Sequence, residues 1–459
     1  MTNQSRGRLN AETITRLVAD GDVDTVLVCF PDLQGRLIGK RVTGHFFCDH
    51  VLDDGIEACN YLLAVDIDMT PLSGYEYTSW EQGYGDFVCR PDLGTMRRIP
   101  WLEKTALVLC DLETEDGAAV EVSPRRMLRK QIERAAAMGY TINCGTELEF
   151  FLFRDSYEEA AAKGYSNLDA HSAVIEDYHI FQTTRDEYLI RAMRNGMDDA
   201  GVPVEFSKGE AGRGQHEINL RYADALEMAD RHVIYKNGVK EIAALQGRAV
   251  TFMAKYDMNE CGSSCHVHSS VWDADGTTSL MWSDDGADHL SDVFRGWLGG
   301  LVAHSGELAW LFAPTVNSYK RYQPGSWAPT ALAWGRDNRT CGFRVVGHGA
   351  GYRVESRIPG ADCNPYLALA ATIAAGLHGI EHGEGPPPRF DGNAYDAPDV
   401  ARVPWNIVDA IHELEASEIA VKAFGHDVHH HLVNTAKQEW AAFGQVVTDW
   451  ERRRNFEQF

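Results

Sequence analysis

The chain has 459 residues, 44% apolar and 24% charged, a globular composition long enough for two or three domains. Asp and Glu total 67 against 43 Lys and Arg, a formal net charge of −24. That balance excludes a dedicated nucleic-acid binder and an anionic membrane surface as partners, while leaving room for bound cations.

Residues 1–8 have no apolar segment behind them, so no signal peptide is expected, and no run approaches the roughly 18 apolar residues of a spanning helix. Residues 25–30 form an apolar run, Pro31-Asp32-Leu33-Gln34-Gly35 is a turn, and residues 36–42 resume as a strand. Gly35 to Lys40 imitates a phosphate loop, but it has three residues between its glycines and Arg41 where Ser or Thr is required, so a hairpin is expected. Pro91-Asp92 to Pro100-Trp101 reads as the exit from a small β-rich unit. The expected division is residues 1–105 and 106–459.

The second part reads as one large α+β unit. Ser123-Pro124 opens a helix as N-cap and first-turn proline, and Gly139 closes it. Helical periodicity returns over residues 186–200, 224–250, 292–304, 365–379 and 432–456. The histidines at 429–431 are expected to be a polar helix start rather than a metal site. Ten cysteines are scattered; only Cys261 and Cys265 lie close together, at a spacing unlike a zinc finger. Free thiols in a reducing cytoplasm are expected.

Four β-like segments carry unusual charge. In Cys144-Gly-Thr-Glu147-Leu-Glu149-Phe150, period two puts both acids on one strand face, where they repel. Lys208-Gly-Glu210-Ala-Gly212-Arg-Gly214-Gln215-His216-Glu217 adds two acids around glycines, and Cys265-His266-Val-His268 puts two histidines on one face. Arg353-Val-Glu355-Ser-Arg357 alternates charge. Each segment alone also reads as an ordinary polar face or surface turn. Together they supply five carboxylates and an imidazole, which suit Mg²⁺ or Mn²⁺ better than zinc or copper. Arginines beside them point to phosphates, and hence to phosphoryl transfer from a nucleotide.

These motifs, in this order and with Asn317 to Arg321, Pro324-Gly325 and Arg339 between them, resemble the type I glutamine synthetase superfamily over nearly the whole chain. The resemblance implies a small β-grasp-like N-terminal domain and a large catalytic domain with an antiparallel sheet. It implies a first metal on Glu149, Glu210 and Glu217 and a second on Glu147, His266 and Glu355. It places His268, Arg353 and Arg339 toward ATP, with Arg339 stabilising the phosphoryl group in transfer. Arg321, Arg357, Gly262 and Tyr178 become the substrate-binding residues. The implied partners are L-glutamate, ATP and an amine, in a homo-oligomer expected to be a dodecamer with sites between subunits.

Three departures cluster where the amine would sit. The family's Asp-Gly-Ser-Ser segment corresponds to Glu57-Ala58-Cys59-Asn60, and its flap glutamate to Trp327 in Pro324-Gly325-Ser326-Trp327-Ala328-Pro329. The loop before the metal histidine reads Asn259-Glu260-Cys261-Gly262, where the family places Asn directly before the glycine. The expected reaction therefore uses an amine larger than ammonia (ethanolamine, a short alkylamine or a polyamine), with ordinary ammonia-using glutamine synthesis as the alternative. Glu57 is expected to take the amine's proton and Trp327 to cover its carbon chain. Tyr395 resembles an adenylylated tyrosine of some relatives in a poorly matching loop, and is read as an unmodified surface residue.

Overall fold

The computed structural model describes residues 6–323 and 325–459. The start of the segment read for a leader and Pro324 of the flap lie outside the described residues. Among the described residues no helix is long and apolar enough to cross a membrane.

Two sheets organise the chain, giving the expected α+β class. The first runs Leu37–Thr43, Thr25–Pro31, Thr105–Glu113, Asp86–Pro91, Ile56–Cys59, with Arg97–Arg98 also pairing Thr105–Glu113. Thr25–Pro31 and Leu37–Thr43 form the antiparallel hairpin, turned at Gly35 with φ +74°. Thr25 to Cys29 pairs in parallel with Thr105 to Leu109. The break expected at 105/106 thus falls at the start of a strand of the first sheet, which extends to Glu113. A parallel partner arrives through a long crossover, so nothing local marks it.

The second sheet runs Trp334–Arg336, Phe343–Val346, Arg353–Ser356, Cys265–Asp273, Tyr140–Phe153, Gln215–Leu220, Val204–Gly209. Helices Pro124–Ala137, Ala225–Leu245 and Pro365–His382 pack together behind it; Pro365–His382 is apolar nearly all round and accordingly buried over most of its length. Two helix expectations are corrected. The helix expected over 224–250 ends at Leu245, because residues 249–251 pair with Phe151 to Phe153 as a strand. The helix expected over 432–456 is two, His426–Phe443 and Asp449–Asn455, the second opened by a Thr448/Glu451 capping box. His431 lies inside the first of these, buried, its Nε2 2.8 Å from the Leu63 carbonyl of the N-terminal unit. All ten cysteines are free thiols.

Candidate active site

Strand register assembles the acids. On Tyr140–Phe153, Glu147 lies between His266 on one neighbour and Asn219 on the other, and Glu149 lies opposite Glu217. Glu355 lies between His268 and Arg344. Glu210 enters from the turn after Val204–Gly209, its N–H donating to the Gln215 carbonyl at 2.8 Å.

Glu149, Glu210 and Glu217 bring ligand oxygens within 4.8 Å of one another. So do Glu147, Glu217 and His266, and Glu147, His268 and Glu355, in terms of their ligand atoms. His266 Nδ1 sits 3.3 Å from Glu147 and 3.6 Å from Glu355, while its buried Nε2 has no hydrogen-bond partner. These groups differ in electrostatics. Burial, reinforced by Glu210, pushes the Glu149 carboxyl up to about 8, although Ser264 N–H donates to it at 2.8 Å. Burial and then Glu147, Glu149 and Glu210 push Glu217 well above the ordinary range. Burial also opposes charge on Glu355, but His266, His268 and Arg357 overcome it and hold the group near 2. Glu147 is likewise held low against its burial by His268 and His266. Burial and then Arg357 lower the His266 pKa against Glu147 and Glu355, which raise it; a metal ligand must be neutral. Three crowded carboxylates beside one carboxylate-and-imidazole group leave negative charge unbalanced, and this oxygen-rich set fits Mg²⁺ or Mn²⁺.

The remaining sequence candidates divide. His268 Nε2 is 2.8 Å from Glu147, and its Nδ1 accepts from Arg353 Nε at 3.1 Å. His268 and Arg353 line a cavity of ≈ 350 Å³ with Phe206, Tyr222 and Tyr352, opening beside the acids. Arg321 is buried and donates to the Ile358 carbonyl, and Arg357 donates to Glu355; the Nε of each is buried without a partner. Gly262 admits Arg321, because a Cβ there would collide with the Arg321 stem. Trp327, at φ +63° with its residue 60% exposed, accepts from Arg357 Nη2 on its backbone carbonyl at 3.4 Å. Tyr178 is exposed, with Lys208 Nζ 4.7 Å from its ring centroid, and Lys208 pairs with Glu210.

Arg339 is exposed, with Asp337 at 3.9 Å. Glu57 is exposed on Ile56–Cys59 and lines a separate cavity with Lys40, Tyr61 and Asp86, which none of the other sequence candidates lines. Within one chain, then, Glu57 is not gathered with the acids. Tyr395 is not a plain surface group: burial raises its hydroxyl pKa, and its oxygen is buried without a partner.

Two supporting residues escaped sequence reasoning. Gln215 bridges Glu149, the Gly262 carbonyl and Ser263 at 3.2, 3.0 and 3.2 Å. It stands two residues before Glu217, so period two could have put it on the same face. Arg344 donates to Glu355 at 2.7 Å, and only cross-strand register reveals that pair.

Residues 121–455 match the family model of the glutamine synthetase catalytic domain. The chain is 52% identical to the γ-glutamylethanolamide synthetase of Streptomyces coelicolor, over 98% of this chain and 96% of that protein. It is 37% identical to a glutamate–isopropylamine ligase of Pseudomonas sp, over 94% and 95%. An ADP complex of GmaS superposes with a TM-score of 0.84 at 31% identity, covering 97% of this chain and 99% of that one.

Proposed function

The chain belongs to the glutamine synthetase family, and we propose that it is an ATP-dependent ligase joining the γ-carboxylate of L-glutamate to a primary amine larger than ammonia. The observation that carries this reading is Trp327, whose carbonyl accepts from Arg357 while its ring stays exposed, beside an otherwise complete set of acids. An indole offers neither a carboxylate for ammonium nor a proton acceptor; it offers an apolar face for a carbon chain. The two named ligases among its relatives use ethanolamine and isopropylamine.

Arg321 and Arg357 grip glutamate through donors that include their unpartnered Nε groups, and Gly262 leaves room for Arg321. Lys208 bridges Tyr178 to Glu210, holding Tyr178 at the edge of the substrate site. His268 and Arg353 line the cavity assigned to ATP, and Arg339 is assigned to the phosphoryl group in transfer. Glu149, Glu210 and Glu217 would hold one divalent cation, and Glu147, His266 and Glu355 another; such cations neutralise phosphate charge and align the reactants. A γ-carboxylate oxygen of glutamate attacks the terminal phosphorus of ATP, ADP leaves, and γ-glutamyl phosphate forms. The amine nitrogen then attacks the acyl carbon, phosphate leaves, and the amine's surplus proton passes to a carboxylate. Trp327 excludes water from the acyl phosphate during that step.

Glu57 is the assigned proton acceptor. Glu57 lines a cavity apart from its own chain's acids, which favours an assembly in which it completes a neighbour's site; the family resemblance makes that assembly two stacked hexameric rings. A cytoplasmic location accords with the free thiols. Purified enzyme given ATP, Mg²⁺, glutamate and an amine panel should release phosphate fastest with an organic amine; turnover with ammonia alone would establish ordinary glutamine synthesis instead. Glu57→Ala should lower amine turnover about a hundredfold while sparing ATP and glutamate binding, and wild-type turnover would remove its role.

A further inference from the structure

Away from the active site, two helices meet at backbone contact. On Asp292–His304, a Cβ at Gly300 would collide with the Ala375 carbonyl; on Pro365–His382, one at Gly379 would collide with the Gly296 carbonyl. A Cβ at Gly299 would collide with the Glu384 carbonyl in the loop after the second helix. This packing brings together the C-terminal ends of both helices and three side chains, His304, His378 and Glu384, whose ligand atoms lie within 4.8 Å of one another. His304 Nε2 is 3.1 Å from one Glu384 oxygen, and His378 Nε2 is 3.6 Å from the other. Ligands about 2.1 Å from a tetrahedral Zn²⁺ stand about 3.4 Å apart; the Glu384 Oε1 approached by His378 is 3.3 Å from His304 Nε2, so these separations suit a common ion.

The surroundings supply an outer-shell partner for His304. His304 faces Glu307 through Nδ1 at 2.6 Å, and Glu307 accepts from Ser417 at 2.6 Å, which fixes the ring with Nε2 toward Glu384. A carboxylate behind a metal-bound imidazole is the usual second partner of such a ligand. His378 stacks on His382 at 4.0 Å, with His382 Nδ1 2.8 Å from the His378 carbonyl, so its ring is braced. His378 Nδ1 is buried without a partner, and its Nε2 makes no hydrogen bond, only the 3.6 Å approach to Glu384. Glu307 and Glu384 set two carboxylates beside His304 and raise its pKa, so a cation bound there takes the place of a proton. The side chains of His304, His378 and Glu384 are 17%, 18% and 29% exposed, so an ion can enter and keep a water ligand.

We infer that His304, His378 and Glu384 form a transition-metal site of the Zn²⁺ class, with three protein ligands and solvent as the fourth, separate from the oxygen-rich active site. Imidazole donors favour zinc and its neighbours over Mg²⁺, so excess Mg²⁺ separates the two sites experimentally.

The chelator-stripped full-length protein, saturated with Mg²⁺, is titrated with Co²⁺ as the spectroscopic stand-in for zinc. One four-coordinate Co²⁺ per chain should appear by its strong visible bands and be displaced by Zn²⁺. His304→Ala and Glu384→Gln should each abolish those bands while Mg²⁺-dependent phosphate release stays at wild-type level. Glu307→Gln should weaken Zn²⁺ binding about 10–100-fold without abolishing it. Absence of the bands from the wild type, or their persistence in both ligand variants, overturns the inference. So would a cluster that binds no metal yet loses thermal stability in His304→Ala, since His304 would then be a protonated bridge between Glu307 and Glu384.

Discussion

Two of the dense charge clusters among the described residues are resolved in opposite ways. Around Arg125, which is 1% exposed, cations meet the acids directly: Asp92 at 2.7 Å, Asp230 at 2.9 Å, and Asp111 beside them, with Arg129 on Asp92 and Asp111. Tyr366 donates to Asp230 at 2.6 Å. Burial opposes charge on Asp92, yet Arg125 and Arg129 hold its carboxyl below the ordinary range. This cluster ties the first sheet to three helices, and each of its three aspartates touches an arginine. In the proposed active site, Glu149, Glu210 and Glu217 have one cation among them, Lys208 paired with Glu210, and burial raises Glu149 and Glu217. A charge cluster that answers itself is structural; one that leaves charge unanswered waits for a ligand.

Four tests sharpen or break that contrast. Glu217→Gln should lower phosphate release about a thousandfold, the several kcal/mol that a metal contributes to phosphoryl transfer, while raising the melting temperature of the metal-free protein; a large loss of metal-free stability would mean the active-site cluster is structural. Arg125→Met leaves buried aspartates uncompensated and should cost about 3–5 kcal/mol of stability, read by denaturant unfolding; a cost within experimental error would erase the distinction between the clusters. Mg²⁺ at a hundredfold excess over its Kd should stabilise wild-type protein by about 2.7 kcal/mol and do much less for Glu217→Gln, as thermal shifts would show. The smallest effect concerns specificity. Trp327→Glu should shift the ratio of organic-amine to ammonia turnover about tenfold toward ammonia, and an unchanged ratio would place amine selection elsewhere.

Much of the site was legible because strand alternation is a local rule. Glu147 with Glu149, His266 with His268, and Arg353 with Glu355 and Arg357 declare shared faces from spacing alone, and the helices opening at Pro124 and Pro365 declare themselves by cap and proline. What stayed hidden depends on partners far along the chain. The strand Thr105–Glu113 belongs to the first sheet only through its parallel pairing with Thr25–Pro31, and residues 249–251 became a strand only because Phe151 to Phe153 had a free edge.

The sequence by itself determined which residues could do chemistry: the acids, their faces, and the tryptophan of the flap. Tertiary structure alone decided how those charges are answered. Arg344 reaches Glu355 across strands, and Gln215 links Glu149 to the Gly262 loop. His304 meets His378 because glycines let two helices touch, at a separation of 74 residues that no periodicity spans. The reason is physical: alternation and capping act over a few residues, whereas burial and Coulomb interaction depend on distance in space.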